Sequence, residues 1–128
     1  MKKVLVLLLL IVSTSVFAEW ANVDDNDEMT TYVDFGTIKK KGNKVKIWSL
    51  IDFKTVQTYE KIKFLSQLTR NEYDCEEETR RMLDLFWYSV NMRQGEIVFS
   101  SKNIKDEAES IVPGSIDETL FKIACSNK

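Results

Sequence analysis

The chain has 128 residues, with 18 Lys and Arg against 20 Asp and Glu and no histidine. Lack of histidine removes the commonest general base and the commonest metal ligand, which excludes Ser-His-Asp and Cys-His mechanisms. A net charge of −2 makes a nucleic acid a poor partner on bulk electrostatics.

Lys2 and Lys3 precede an unbroken apolar run over residues 4–12, and Val16-Phe17-Ala18 ends on the small residue that signal peptidase favours. This is the pattern of a secretory leader. A spanning helix needs about 20 apolar residues, and here Ser13, Thr14 and Ser15 interrupt the stretch. Residues 1–18 are therefore expected to be removed, leaving 19–128 as one domain. Its expected location is the periplasm or the outer cell surface, with no membrane span after cleavage. No cysteine lies beside the cut to be acylated. Without Lys2 and Lys3 the domain carries 16 basic against 20 acidic side chains, a net charge of −4.

The acidic run Asp24, Asp25, Asp27 and Glu28 follows a first strand. It lacks the alternating ligands, the central Gly and the distant Glu of a calcium loop, and reads as a solvated loop. Residues 31–35 read as a short strand, and Lys39-Lys40-Lys41-Gly42-Asn43 as a turn. Over 44–53, Val45, Ile47, Ile51 and Phe53 share one face while Lys46, Trp48, Leu50 and Asp52 share the other, a strand with one apolar and one mixed face. Residues 61–75 form a further strand, followed by an exposed turn at Glu76-Glu77-Glu78.

Residues 79–91 place Met82, Phe86, Tyr88 and Val90 on one side and Leu83, Leu85 and Trp87 on the other. A strand apolar on both faces is covered on both. A helix on one face and a partner subunit on the other fit that pattern, so a homodimer or partner surface is expected on this segment. Gln94-Gly95 turns the chain into a strand over 96–101, and 101–110 is a polar loop. Pro113-Gly114 then breaks the chain before a helix, with Ser115 and Glu118 spaced as a capping box. Ile116, Leu120, Ile123 and Ala124 form its apolar stripe, flanked by Phe121 and Cys125.

That helix can bring Cys125 to the strand end at Cys75. An exported chain with two cysteines favours a structural disulfide, worth up to about 4 kcal/mol for a loop of about 50 residues. The alternatives are a redox pair or a metal site. Neither has the required spacing, and two thiols make an incomplete zinc site.

Several segments together resemble the surface-adhesin protein E family of bacteria. They are Tyr32-Val33-Asp34, Lys41-Gly42-Asn43, the run from Val45 to Asp52, Glu72-Tyr73-Asp74-Cys75, Asn91-Met92, and Ile111-Val112-Pro113-Gly114-Ser115 ahead of the helix with Cys125. Trp20 fits as well. The resemblance spans nearly all of 19–128. It implies an antiparallel sheet with a C-terminal helix pinned by a disulfide between Cys75 and Cys125. It also implies an exported protein that binds host matrix or serum proteins such as vitronectin and laminin. No lipidation cysteine matches, and no binding residue is carried over.

The expected fold is α+β: a single antiparallel sheet of five or six strands with a C-terminal helix packed on it. The expected function is that of a non-enzymatic, adhesin-like binding protein of the bacterial envelope, with protein partners and no cofactor or metal. The alternative is a periplasmic structural or assembly factor. Candidate binding residues are Lys39, Lys40, Lys41 and Lys44 with Lys46 around a turn, which suit an acidic partner or heparin, or a plain solvated hairpin tip. Trp87 and Tyr88 with Trp48 are the aromatic candidates, as interface anchors or cross-strand packing. Trp87 is the stronger of these, because its strand is apolar on both sides.

Overall fold

The computed structural model describes residues 19–126. The expected leader, residues 1–18, lies outside the described residues. Eight strands form one antiparallel sheet: β1 (Trp20–Asp25), β2 (Met29–Asp34), β3 (Lys39–Lys41), β4 (Lys44–Tyr59), β5 (Ile62–Asp74), β6 (Thr79–Tyr88), β7 (Ile97–Ser101) and β8 (Glu109–Ser110). The order is β1-β2-β4-β5-β6-β7, with β3 beside β4 and β8 beside β6. A 3-10 turn at Phe35–Thr37 links β2 to β3, and helix α1 (Ile116–Ser126) closes the chain.

The α+β class is as expected, but the sheet has more than five or six strands. The extra pieces are β3 and β8, three and two residues long. Neither carries apolar alternation. Each is a strand only because its backbone pairs with a longer neighbour, Lys40 opposite Val45 and Glu109 opposite Arg80. The turn expected over 39–43 therefore shrinks to Gly42 and Asn43. β4 also runs on to Tyr59, past the apolar alternation, and turns through Glu60 and Lys61 at φ 45° and 71°. Two-residue hairpin turns of this kind usually carry Asn or Gly, so no turn residue marks the end of β4.

Directly paired residues share a face of a sheet. One face carries Val33, Val45, Ile47 and Tyr73, all at most 1% exposed, and α1 covers it with Leu120 and Ala124. The other face carries Lys44, Lys46, Trp48, Leu50 and Asp52 on β4. It continues with Asp74, Glu72, Arg70, Leu68 and Ser66 on β5. Between Arg70 and Asn71 the pairing with β6 shifts. Leu83 is the extra residue, so Met82 pairs with Asn71 and joins the face of Leu85 and Trp87. A single bulge thus breaks the strict alternation expected for residues 79–91.

The helix is placed by three devices. Ser115 Oγ accepts the Glu118 N–H at 3.2 Å, one half of the expected capping box. The Glu118 carboxylate reaches the Gly114 N–H instead of that of Ser115. Arg80 on β6 bridges Asp117 in the first helical turn and Glu109 on β8, each at 3.3 Å. At the far end Cys125 is bonded to Cys75, which follows β5, with Cα atoms 5.6 Å apart.

Beneath the helix the core is partly polar. Ser49 and Thr69 hydroxyls bond each other at 2.9 Å, while the Tyr73 hydroxyl is buried without a hydrogen-bond partner. Burial pushes the Tyr73 phenol up from its ordinary value, and the nearby Asp117 carboxylate pushes it further. A phenol held neutral in the fold ionises first in the unfolded chain. Its stabilising contribution is whole below pH about 10 and falls as pH rises beyond that. We expect Tyr73→Phe to cost less than about 1 kcal/mol at pH 7, since it removes an unpaired polar atom. The variant should also soften the alkaline loss of stability. Denaturant melts at pH 7 and pH 11 check this, and an unchanged alkaline loss would rule out Tyr73 as its source.

Candidate functional site

The face left open by the helix carries two adjoining features. The first is the basic hairpin of β3 and β4. Lys39 pairs with Lys46 and Lys41 with Lys44, so these four share the open face. Lys40 pairs with Val45, which gives it the helix-side face. All five lysines are exposed. They wall a concavity of about 390 Å³ together with Glu72. Glu72 lies 4.0 Å from Lys44 and 3.1 Å from Arg81. Among the described residues no carboxylate comes within 4.0 Å of Lys39, Lys40, Lys41 or Lys46.

The second feature is a cleft of about 370 Å³ lined by Trp20, Trp48, Phe86, Tyr88, Leu68, Arg93, Asp34 and Thr37. Trp48 lies two residues beyond Lys46 on the same face of β4. Its ring centroid is 6.3 Å from that of Phe86. Three rings of this face each carry a cation: Arg70 over Trp48 at 5.6 Å, Lys102 over Phe86 at 5.6 Å and Arg93 over Tyr88 at 5.8 Å. Arg70 also holds the buried Asp84 carboxylate at 2.6 Å.

Arg93 reaches the cleft from a strained loop. Met92 and Arg93 are both left-handed, φ 56° and 59°, a conformation that costs about 1–3 kcal/mol per residue outside glycine. The Asp52 carboxylate enforces it by accepting the Met92 N–H and an Asn91 amide hydrogen, both at 2.9 Å. Ser66 Oγ accepts the Arg93 N–H at 3.0 Å. Gly95 completes the loop at φ 75°, where a Cβ would meet Ser89 and stand 2.7 Å from Val90.

The aromatic candidates separate. Tyr88 and Trp48 line the cleft, whereas Trp87 points to the opposite face and is 9% exposed. It stacks on Phe64 at 4.2 Å, packs against Tyr59 and Phe99, and donates its indole N–H to Gln67. Rings of the same chain thus supply the cover expected from a partner. Trp20, Phe86, Arg70, Arg93 and Lys102 are site residues that the sequence reading missed. Phe86 and Arg70 share a parity with Tyr88 and Leu68 that marks this face, but nothing in the sequence signals the loop that aims Arg93. In the acidic run, Asp25 pairs with Lys54 and Thr30. Their hydrogen bonds hold its carboxyl below the usual range.

A family model described as surface-adhesin protein E matches residues 20–126. Solved structures of Haemophilus influenzae protein E share the fold. Crystal form II superposes with a TM-score of 0.66 at 18% identity, covering 89% of this chain and 92% of that one. A further structure of the same protein gives 0.64 at 18% identity, covering 89% of each chain. One from a non-typeable strain gives 0.63 at 18% identity over 89% of this chain and 80% of that one. No curated protein matches the sequence.

The two faces should respond differently to substitution. Trp87→Ala removes a buried ring and is expected to cost about 3–5 kcal/mol. Lys39→Gln, Lys40→Gln or Lys41→Gln should each stay within about 0.5 kcal/mol. Urea melts distinguish the two classes, and a Trp87→Ala protein as stable as the parent would refute its placement in the core.

Proposed function

The chain belongs to the surface-adhesin protein E family, and on that premise we propose that it is an exported, non-enzymatic envelope protein that binds a host matrix or serum protein. The proposed contact is the basic hairpin of Lys39, Lys40, Lys41 and Lys44. The supporting observation is an exposed cluster of lysines on a rigid sheet, with only Lys44 near a carboxylate. Such a cluster steers an acidic partner and sets its orientation. Among the described residues no helix is long and apolar enough to cross a membrane.

The homodimer belongs to the same proposal, at a shifted position. β6 is paired along both edges, by β5 on one side and by β7 and β8 on the other. Tyr88 lies in the cleft and Trp87 beneath other rings, so the available apolar surface is their surroundings. Ile97 and Phe99 on the edge strand β7, with Tyr59 and Val56 at the hairpin end, are 36–57% exposed. An exposed apolar edge of this kind favours association with a second copy.

The test combines location with binding. Protease added to intact cells should remove the protein from a surface position. Immobilised vitronectin or laminin should retain the purified protein, and Lys→Gln at positions 39, 40, 41 and 44 together should weaken retention at least about tenfold. Light scattering at tens of micromolar should show twice the monomer mass. Protection on intact cells with no retention would instead support a periplasmic assembly role, and a strict monomer would remove the dimer.

A further inference from the structure

We propose that the open face of the sheet is a binding site for a sulfated or uronate-bearing polysaccharide, with the lysine grid holding its anionic groups and the cleft rings stacking on its sugar planes. This site shares Lys39, Lys41 and Lys44 with the proposed protein contact and adds Lys46 and the cleft rings, so its test uses the polysaccharide alone.

The grid is the first argument. Lys39 opposite Lys46 and Lys41 opposite Lys44 make two like-charge pairs side by side. Like charges directly opposite destabilise a sheet; Asp74 opposite Lys44 and Glu72 opposite Lys46 on β5 offset part of that repulsion, and a bound anion would offset the rest on the β3 side. The roots of these side chains are spaced by about 7 Å along each strand and about 5 Å across the pair. That suits a linear chain carrying closely spaced negative groups.

The second argument is that the acids on the strands of this face are engaged by the fold itself, while Asp106 and Glu107 wall a separate concavity beside Lys44, Asp74 and Arg81. Asp34 accepts the Gly36 N–H, and Glu72 faces Lys44 and Arg81. Asp74 accepts two backbone N–H groups of the following turn, and Asp84 holds Arg70 and the Asn103 N–H. Asp52 holds the loop at Asn91 and Met92, and Asp25 pairs with Lys54. Lys39, Lys41, Lys46, Arg93 and Lys102 are left without an ion pair among the described residues. The domain is acidic overall, yet the hairpin end of this face gathers Lys39, Lys41, Lys44 and Lys46.

The third argument is continuity. From Lys46 the same face of β4 passes directly to Trp48, whose neighbours are Arg70 and Phe86. Rings flanked by cations accept a sugar plane and its acidic substituents together. A single-stranded nucleic acid uses related chemistry. The surface-adhesin family of the chain favours an extracellular polysaccharide.

The test titrates size-defined heparin oligosaccharide into purified, disulfide-bonded protein while tryptophan fluorescence is followed. Inorganic polyphosphate and a single-stranded oligonucleotide serve as competing polyanions. Heparin should bind with an affinity that falls as salt rises. Lys39→Gln, Lys41→Gln and Lys46→Gln together should weaken it about tenfold at low salt, and less at high salt. Lys122→Gln, on the helix that covers the opposite face, should change it less than about twofold. Trp48→Phe should abolish most of the fluorescence response. Phe86→Leu should weaken binding about fivefold with the salt dependence unchanged, as loss of a stacking contact requires. Thermal melts matching the parent exclude unfolding of the cleft variants, and the exposed lysine variants test the site independently of them. The proposal is overturned by no heparin binding or by equal affinity for polyphosphate or the oligonucleotide. It is equally overturned if Lys122→Gln matches the loss of the triple lysine variant, or if folded cleft variants bind normally.

Discussion

The fastening of one short helix to one face of the sheet determines what the other face can do. A helix of eleven residues is marginal in water by itself. It persists here because Leu120 and Ala124 are buried against Val33, Val45, Ile47 and Tyr73, while the Cys75–Cys125 bond and the Arg80–Asp117 pair hold its two ends. The bond limits how far the helix can wander when the packing opens. The apolar half of the alternation on β4 is thereby committed to the core. Its partner half, Lys44, Lys46, Trp48 and Leu50, is committed to the opposite surface, because a strand cannot move one set without moving the other.

Strain and charge on that opposite surface follow from the same division. Asp52 and Ser66 lie on it, and they hold the loop over residues 89–96 in a left-handed path that brings Arg93 over Tyr88. Arg70 is fixed by Asp84 and lies over Trp48. The rings are therefore positioned by ion pairs and backbone bonds that involve no ligand, a preformed arrangement that lowers the ordering cost of binding. A further group of exposed apolar residues lies elsewhere, around Val56, Tyr59, Ile97 and Phe99.

The sequence disclosed those parts of the fold whose side chains alternate. β2, the first part of β4, β5 and the helix with its Ser115 cap were all legible, because burial imposes a period on them. So was the cysteine pair. β3 and β8 were not, since all-lysine and Glu-Ser segments become strands only when a neighbour supplies the pairing. The phase of β6 was misjudged at Leu83, where one inserted residue reverses the parity of everything before it. That slip does not reach Trp87. Its apolar flanks read as a partner surface, but Phe64, Tyr59 and Phe99 cover it, and two of these come from a hairpin whose turn has no Gly or Asn. The lysines were visible as a run, whereas their division between two faces required the register.

Amide hydrogen exchange on the disulfide-bonded and the reduced protein tests this division most directly. The account predicts that reduction sharply accelerates exchange across residues 116–126, while the β4–β5 ladder on either side of Trp48 stays protected. A helix equally protected after reduction, or a sheet that loses protection together with it, would contradict the claim that the bond fastens an otherwise marginal helix to an independently ordered open face.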